Sequence, residues 1–470
     1  MHSTAGATVM TATSGMSMGG GPDAAAMSAA ADHQFADLLD LRDVRMVFQP
    51  LVDLRTGAVV GLEALVRGPD GSPFASPRAL FAAARQAGRV AELDWVCRAA
   101  AFRAVLDADL PPAMSLFVNI VPEAIATECP PDLVQVVARA ESVLRVFVEV
   151  TDRALATDPS GVLTTVDRAR TMGWGIAIDD VGASRAPLAM LPIVGADVVK
   201  LDLRRLGATD PVDSFAIITS VLRHVEQTGA TLVAEGIETE EDAQWARALG
   251  ATYGQGYYLG APGPLGEQYP TPRAPVRLVG AVPADQMPAT PFELLRGTAR
   301  RRMHAGDYQR LVRVLALSPR SVSTWPVYLT SVAHDPHLPP DLTGQVLPDN
   351  TLLFVTFGEN LPEEPMRGVR GVRLEPDDPL VDERYFIFLS DEALVAILAR
   401  PTTDGPYDVV VTQDPVLVID IVRHLLRRIP PRGADNLALP RRDQVSDVLD
   451  DAATAPHDPA RRHGWHRSGG

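Results

Sequence analysis

Gly175–Ile176–Ala177–Ile178–Asp179–Asp180 is a short apolar run that ends in two acids. The same grammar recurs in Val59–Val60–Gly61–Leu62–Glu63, Ser115–Leu116–Phe117–Val118–Asn119, Arg145–Val146–Phe147–Val148–Glu149, Asp197–Val198–Val199–Lys200 and Thr231–Leu232–Val233–Ala234–Glu235. Each run reads as a strand, and each closes on a residue that can bind a metal or a phosphate. Helix-like stretches separate most of them, and strands alternating with helices build a parallel α/β sheet or barrel. In a (β/α)8 barrel the working residues sit at the carboxyl ends of the strands. Asn119, Glu149 and Asp179 are evenly spaced (149 − 119 and 179 − 149 both give 30), about one βαβ unit apart. Strand ends at that interval meet on one rim. A rim so rich in carboxylates repels itself without divalent cations, so a metal site is the expected chemistry.

The bulk properties set the frame around that rim. The chain has 470 residues, enough for two domains or more. Its apolar fraction of 46% supports a real core. A formal net charge of −16 argues against a broad basic face for DNA or RNA polymers. An anionic substrate would need local cations instead. Cys97 and Cys129 lie outside any CxxC pattern, which points to small unreactive thiols and a reducing cytoplasm. No run reaches the roughly 18 apolar residues of a membrane span.

Along the chain, residues 1–32 are rich in Ala, Gly, Ser, Thr and Met and read as a disordered lead-in. Residues 33–262 form the first unit. It opens with a hairpin around Arg55–Thr56–Gly57, and its first helix starts at Ser76–Pro77, an N-cap followed by a first-turn proline. The acids at Glu240, Glu241 and Asp242 suit the start of a later helix. Residues 263–291 are a Pro- and Gly-rich linker by composition, 292–430 a smaller α/β unit, and 431–470 a polar, disordered tail. In the second unit strands are expected over 351–357, 384–389 and 407–412, and helices over 391–398 and 415–428. The arginine pairs Arg427–Arg428 and Arg441–Arg442 read as solvated charges. A metal site among His457, His463 and His466 in the tail is disfavoured.

Glu63–Ala64–Leu65 followed by Arg67 resembles the signature that names the EAL-domain family. Around it stand Gln49–Pro50, Val118–Asn119–Ile120, Glu149–Val150–Thr151, Asp179–Asp180–Val181–Gly182, Val198 to Asp202, Ala234 to Thr239 and Gln255–Gly256, in the family's order. The tripeptide alone would mean little; the ordered set carries the resemblance over about residues 39–262. The resemblance implies a TIM-like (β/α)8 barrel with one antiparallel strand. It implies hydrolysis of cyclic di-GMP to linear pGpG with two divalent cations, Mg²⁺ or Mn²⁺. Glu63, Asn119, Glu149 and Asp179 would hold one cation, and Asp179 would bridge to a second beside Asp180 and Glu235. Lys200 would contact the attacking water, with Glu63 and Glu235 sharing the catalytic set. Gln49, Leu65, Arg67 and Gln255 would bind substrate, and a homodimer is the family expectation. The physics fits: hard divalent cations take oxygen donors, paired cations activate water and stabilise a leaving oxygen, and arginine matches phosphate. Lysine orients such a water, or takes its proton where its pKa is lowered.

Three positions depart from the family's pattern. Val181–Gly182–Ala183–Ser184 stands where Phe-Gly-Thr-Gly is common, Asp152 replaces a loop-anchoring Glu, and Gly68 replaces a Trp. None removes a ligand, but the altered loop opens a second reading: a cyclic di-GMP receptor with weak or no turnover. A scaffold without nucleotide binding is disfavoured by the retained ligands. Blander roles also exist for single residues, such as a turn for Asn119, a cap for Asp179–Asp180, an ion pair with Asp202 for Lys200, and core packing for Tyr257–Tyr258. Gly368 to Leu380 and Asp408 to Pro415 resemble the DICT domain, a sensory module, which implies that the second unit regulates the first. There, Asp377–Asp378–Pro379 reads as a turn.

Overall fold

The computed structural model describes residues 22–121, 124, 127–266, 269–279, 288–316, 325–332 and 351–430. Eight strands close a barrel: β1 Arg45–Asp53, β2 Val59–Arg67, β3 Ser115–Asn119, β4 Arg145–Thr151, β5 Gly175–Val181, β6 Val198–Asp202, β7 Thr231–Glu235 and β8 Tyr253–Gly254. β1 runs antiparallel to both β2 and β8, and all other neighbours are parallel. This is the expected (β/α)8-like barrel with one reversed strand. The runs are apolar along their whole length because strands covered on both faces bury every residue. β4 and β5 show this, with Val146, Phe147, Val148, Ile176, Ala177 and Ile178 all buried.

Local chemistry starts the helices where the sequence places them. Ser76 caps Pro77–Gln86 by accepting from the Ala79 N–H. Thr239 and Asp242 form a reciprocal capping box at Glu240–Ala248. The lead-in differs from expectation: Pro22–Asp40 is helical, so order begins before residue 33. Its Phe35, Leu38 and Leu39 are buried, and these apolar side chains give the helix a face to pack. Residues 1–21 and the tail after 430 lie outside the described residues, as do the three tail histidines and Arg441–Arg442.

The stretch after the barrel does more than its composition indicates. Val276 is fully buried with Leu51, Phe117, Phe147, Val198 and Val233, and Leu278 packs beside them. This cluster fills the end of the barrel opposite the acidic rim, so residues 274–279 are a strap across its floor. Arg145 donates to the Val276 carbonyl, and the Val279 N–H donates to the buried Asp197 carboxylate. Asp197 also accepts from the Ile176 N–H at 2.7 Å and pairs with Arg170. Gly175 makes room for the strap, since a Cβ there would lie 2.8 Å from Leu278 and 2.4 Å from Phe147. Proline and glycine content reads as a linker because it reports backbone preference and not burial.

The second unit is a seven-stranded sheet of β9 Arg301–Met303, β10 Val327–Ser331, β11 Leu353–Gly358, β12 Arg370–Arg373, β13 Arg384–Leu389, β14 Leu394–Pro401 and β15 Tyr407–Thr412. Its order is β12-β11-β10-β13-β14-β15-β9. The helix expected over 391–398 is instead strand β14, paired on both sides. A central strand buried on both faces gives a continuous apolar run, which periodicity cannot tell from a buried helix. Asp378 does make a turn, accepting from the Leu380 N–H at 3.0 Å.

The helix Pro415–Leu426 and the residues around it dock the second unit on the barrel. Arg423 donates to the Pro192 and Ile193 carbonyls at 2.9 and 2.7 Å. Arg427 takes Asp167 through two bonds of 2.7 Å, which corrects its reading as a solvated charge. Arg428 pairs with Asp378. Arg185, four residues past the altered loop's Val181, holds Asp391 and Glu392 of the β13–β14 turn. Arg185 and Asp391 are both nearly fully buried, so this is an interior ion pair between the two units.

Candidate active site

Six barrel strands deliver the expected residues to one rim. In β2, Glu63, Leu65 and Arg67 share a face because strand side chains alternate. Lys200 on β6 lies at the centre, 1% exposed. Its ammonium is 2.7 Å from Glu149 Oε1, 2.7 Å from Glu235 Oε1, 2.9 Å from Asp179 Oδ1 and 3.1 Å from Glu63 Oε2. Asn119 donates to Glu149 Oε2 at 3.2 Å and to Glu63 Oε1 at 3.4 Å. Gln255 donates to Glu63 Oε2 at 2.6 Å and to Gln49 Oε1 at 3.1 Å, and Gln49 donates to the Gly260 carbonyl. Gly256 lets Gln255 sit there: its φ is +154°, and a Cβ would lie 2.1 Å from the Ile237 carbonyl oxygen.

Lys200 does not pair with Asp202, the bland reading; it serves four other acids. An ammonium has three protons, so four carboxylates cannot all be satisfied by it. Glu149 Oε1 and Asp179 Oδ1 are buried with no properly directed hydrogen bond. Oxygens of Glu63, Glu149 and Asp179 lie within 4.8 Å of one another. Three hard oxygen donors, and more negative charge than one ammonium neutralises, fit a divalent cation.

Electrostatics follow from burial. Burial, and then the charge of Glu63, push the Glu149 carboxyl well above its ordinary range against the pull of Lys200. Burial and then Asp179 raise Glu235 in the same way. For Lys200 burial acts downward, but Asp179, Glu149, Glu235 and Glu63 outweigh it and hold the group as an ammonium. As it stands Lys200 is a hydrogen-bond donor, so orienting water is its natural role and accepting a proton is not.

Other expected residues lie apart from this cluster. Asp180 adopts a left-handed φ of 65° and pairs with Arg205 at 3.0 Å. Asp152 is buried at the start of the helix Asp152–Thr157, its carboxyl pushed up to about 7 by burial and then by Asp180. Its expected anchoring of the 181–184 loop has no hydrogen bond to support it among the described residues. Leu65 is half-buried on the rim side of β2. Arg67 bonds the Val66 carbonyl at 2.8 Å, and among the described residues it faces no carboxylate, which leaves its guanidinium open to an anion. Tyr257 and Tyr258 are exposed, not core, and Tyr258 donates to Glu240.

Sequence reasoning missed Asp202 and Arg205. Asp202 follows Lys200 by two residues, a spacing that puts both on one face of β6 and is the signal that could have found it. Arg205 carried no strand-end signal, because it lies in the helix Leu203–Ala208 that Asp202 caps.

Known proteins match the same stretch of chain. The family model described as "EAL domain" matches residues 32–262, and the barrel is therefore an EAL domain. The chain is 30% identical over 234 residues to the probable cyclic di-GMP phosphodiesterase PdeB of Escherichia coli K12, covering 48% of this chain and 44% of that one. It is 32% identical over 227 residues to the cyclic di-GMP phosphodiesterase PA2567 of Pseudomonas aeruginosa, covering 46% and 38%. The chain thus spans less than half the length of these relatives. Among solved structures, Klebsiella pneumoniae BlrP1 in a manganese and cyclic di-GMP complex is 29% identical, with a TM-score of 0.41 over 47% of this chain and 56% of that one. No helix among the described residues is long and apolar enough to cross a membrane, and Cys97 and Cys129 are free and half-buried.

Proposed function

We propose that this chain is a cytoplasmic phosphodiesterase that hydrolyses cyclic di-GMP to linear pGpG with two divalent cations, Mg²⁺ or Mn²⁺. The observation that carries the reading is the buried set of Glu63, Glu149, Asp179 and Glu235 around one lysine, four carboxylates against a single ammonium. Glu63, Asn119, Glu149, Asp179, Asp180 and Glu235 would hold the cations, which supply charge neutralisation and an acidified water. Water adds to phosphorus, the bond to the 3′ oxygen breaks, and that oxygen leaves with a proton. Lys200 orients the water. Arg67 neutralises a phosphate oxygen and Leu65 lines the rim. Gln255 fixes the Glu63 carboxylate from the other side and is itself held by Gln49.

The second unit is proposed as the regulatory module. Support comes from the buried Arg185–Asp391 pair, which ties it to the segment running on from Asp179–Asp180. Purified full chain with Mn²⁺ should release pGpG, and Glu63→Ala should abolish release. A folded, Mn²⁺-binding chain that yields no product overturns the enzymatic reading. The altered loop Val181 to Ser184 favours one alternative, a receptor that binds cyclic di-GMP without turnover; measurable hydrolysis removes it.

A further inference from the structure

The acids of the rim fall into two groups, and each group has its own internal cation. Lys200 serves Glu63, Glu149, Asp179 and Glu235. Arg205 serves Asp180 at 3.0 Å and Asp202 at 3.3 Å. The cluster able to seat a metal contains Glu63, Glu149 and Asp179 but not Asp180. Arg205 is positioned twice over: its backbone N–H is capped by Asp202, and its guanidinium forms ion pairs with both carboxylates. Its side chain is still 32% exposed, so it can leave without unpacking the core.

Resting on the phosphodiesterase reading, we infer that Arg205 is a positioning residue that competes with the second divalent cation for Asp180. A cation arriving at Asp180 must displace an ion pair and then share the space with a guanidinium. The two metal positions are therefore unequal in this chain: the one at Glu63, Glu149 and Asp179 fills first, and the one at Asp180 fills at higher concentration. A phosphodiester in the site offers the displaced guanidinium two acceptor oxygens in its own planar geometry. Arg205 thus exchanges a carboxylate for a substrate phosphate as the second cation seats.

The test is Mn²⁺ binding to chelator-stripped full chain, followed by calorimetry and by the electron paramagnetic signal of free Mn²⁺. Wild type should show one tight and one weak site. Arg205→Gln should tighten the weak site about fivefold, in line with the upper worth of a partly exposed ion pair, and leave the tight site unchanged. Arg205→Lys, which keeps the charge, should restore the weak site. Arg204→Gln removes one charge from the same helix without touching Asp180 and should shift it less than about threefold. Two equal sites in wild type, or a weak site that Arg205→Gln leaves unmoved, overturn the inference while the phosphodiesterase reading stands. A chain that binds no Mn²⁺ in any variant overturns both.

Discussion

Replacing Lys200 with Met separates what the lysine does for the fold from what a metal does in its place. The ammonium lies within 3.1 Å of four carboxylates and is almost fully buried. Removing one member of a buried ion cluster costs roughly 3–5 kcal/mol, because the partners stay behind uncompensated. For a domain of this size that is a fall in Tm of about 6–20 °C. Part of the loss is relieved by proton uptake, and the sign is fixed. Glu149 and Glu235 already have carboxyls raised above their unfolded values, so their penalty is present at high pH and vanishes as pH falls below the unfolded value of about 4.3. The Lys200→Met deficit should therefore be larger at pH 7.5 than at pH 5.5. Mn²⁺ should reverse it, and the Mn²⁺-induced rise in Tm should be greater in the variant than in wild type. Scanning calorimetry with chelator and with Mn²⁺ reads all of this. A deficit below about 1 kcal/mol in chelator, or equal Mn²⁺ stabilisation of both proteins, would refute the cluster's role as a metal seat balanced by one lysine.

Arg185→Ala leaves Asp391 buried and unpaired, at a cost of about 3 kcal/mol; hydrogen exchange should quicken over Pro415–Leu426 and stay unchanged in β4 and β5. Burial lowers His224 and His424 to about 4, with Arg423 adding to the first and Arg428 and Arg427 to the second. Stability held by these neutral rings is complete above about pH 6.5 and is lost as pH falls toward 4, up to roughly 3 kcal/mol each. Denaturant unfolding should show His424→Phe flattening that slope; an identical slope counts against it. Val276→Asp puts an unpaired carboxylate into the floor of the barrel, and should cost about 3 kcal/mol or more by chemical denaturation; a change within 0.5 kcal/mol would mean the strap is not part of the core.

The barrel was legible because parallel strands buried on both faces announce themselves as apolar runs, and because each ended in a residue able to bind a metal or a phosphate. Glu63, Asn119, Glu149, Asp179, Lys200 and Glu235 converge because they share one position in the strand–helix repeat. Gln255 and Gln49 converge through the ordered motifs. What escaped depends on tertiary context. The 391–398 segment is helical by local reading, yet β13 and β15 flank it and make it a strand. Arg427 looked solvated because no sequence rule foretells Asp167 opposite it. Arg205 escaped because its partner Asp180 belongs to another strand.

The strap at residues 274–279 changes what can be exchanged between proteins. The EAL motifs end near residue 262, yet the hydrophobic interior they surround is finished by side chains that come later. A gene fusion cut at the last motif would hand its new neighbour a vessel without a base. The connector thus belongs to the core of the barrel and not to the sheet that follows it.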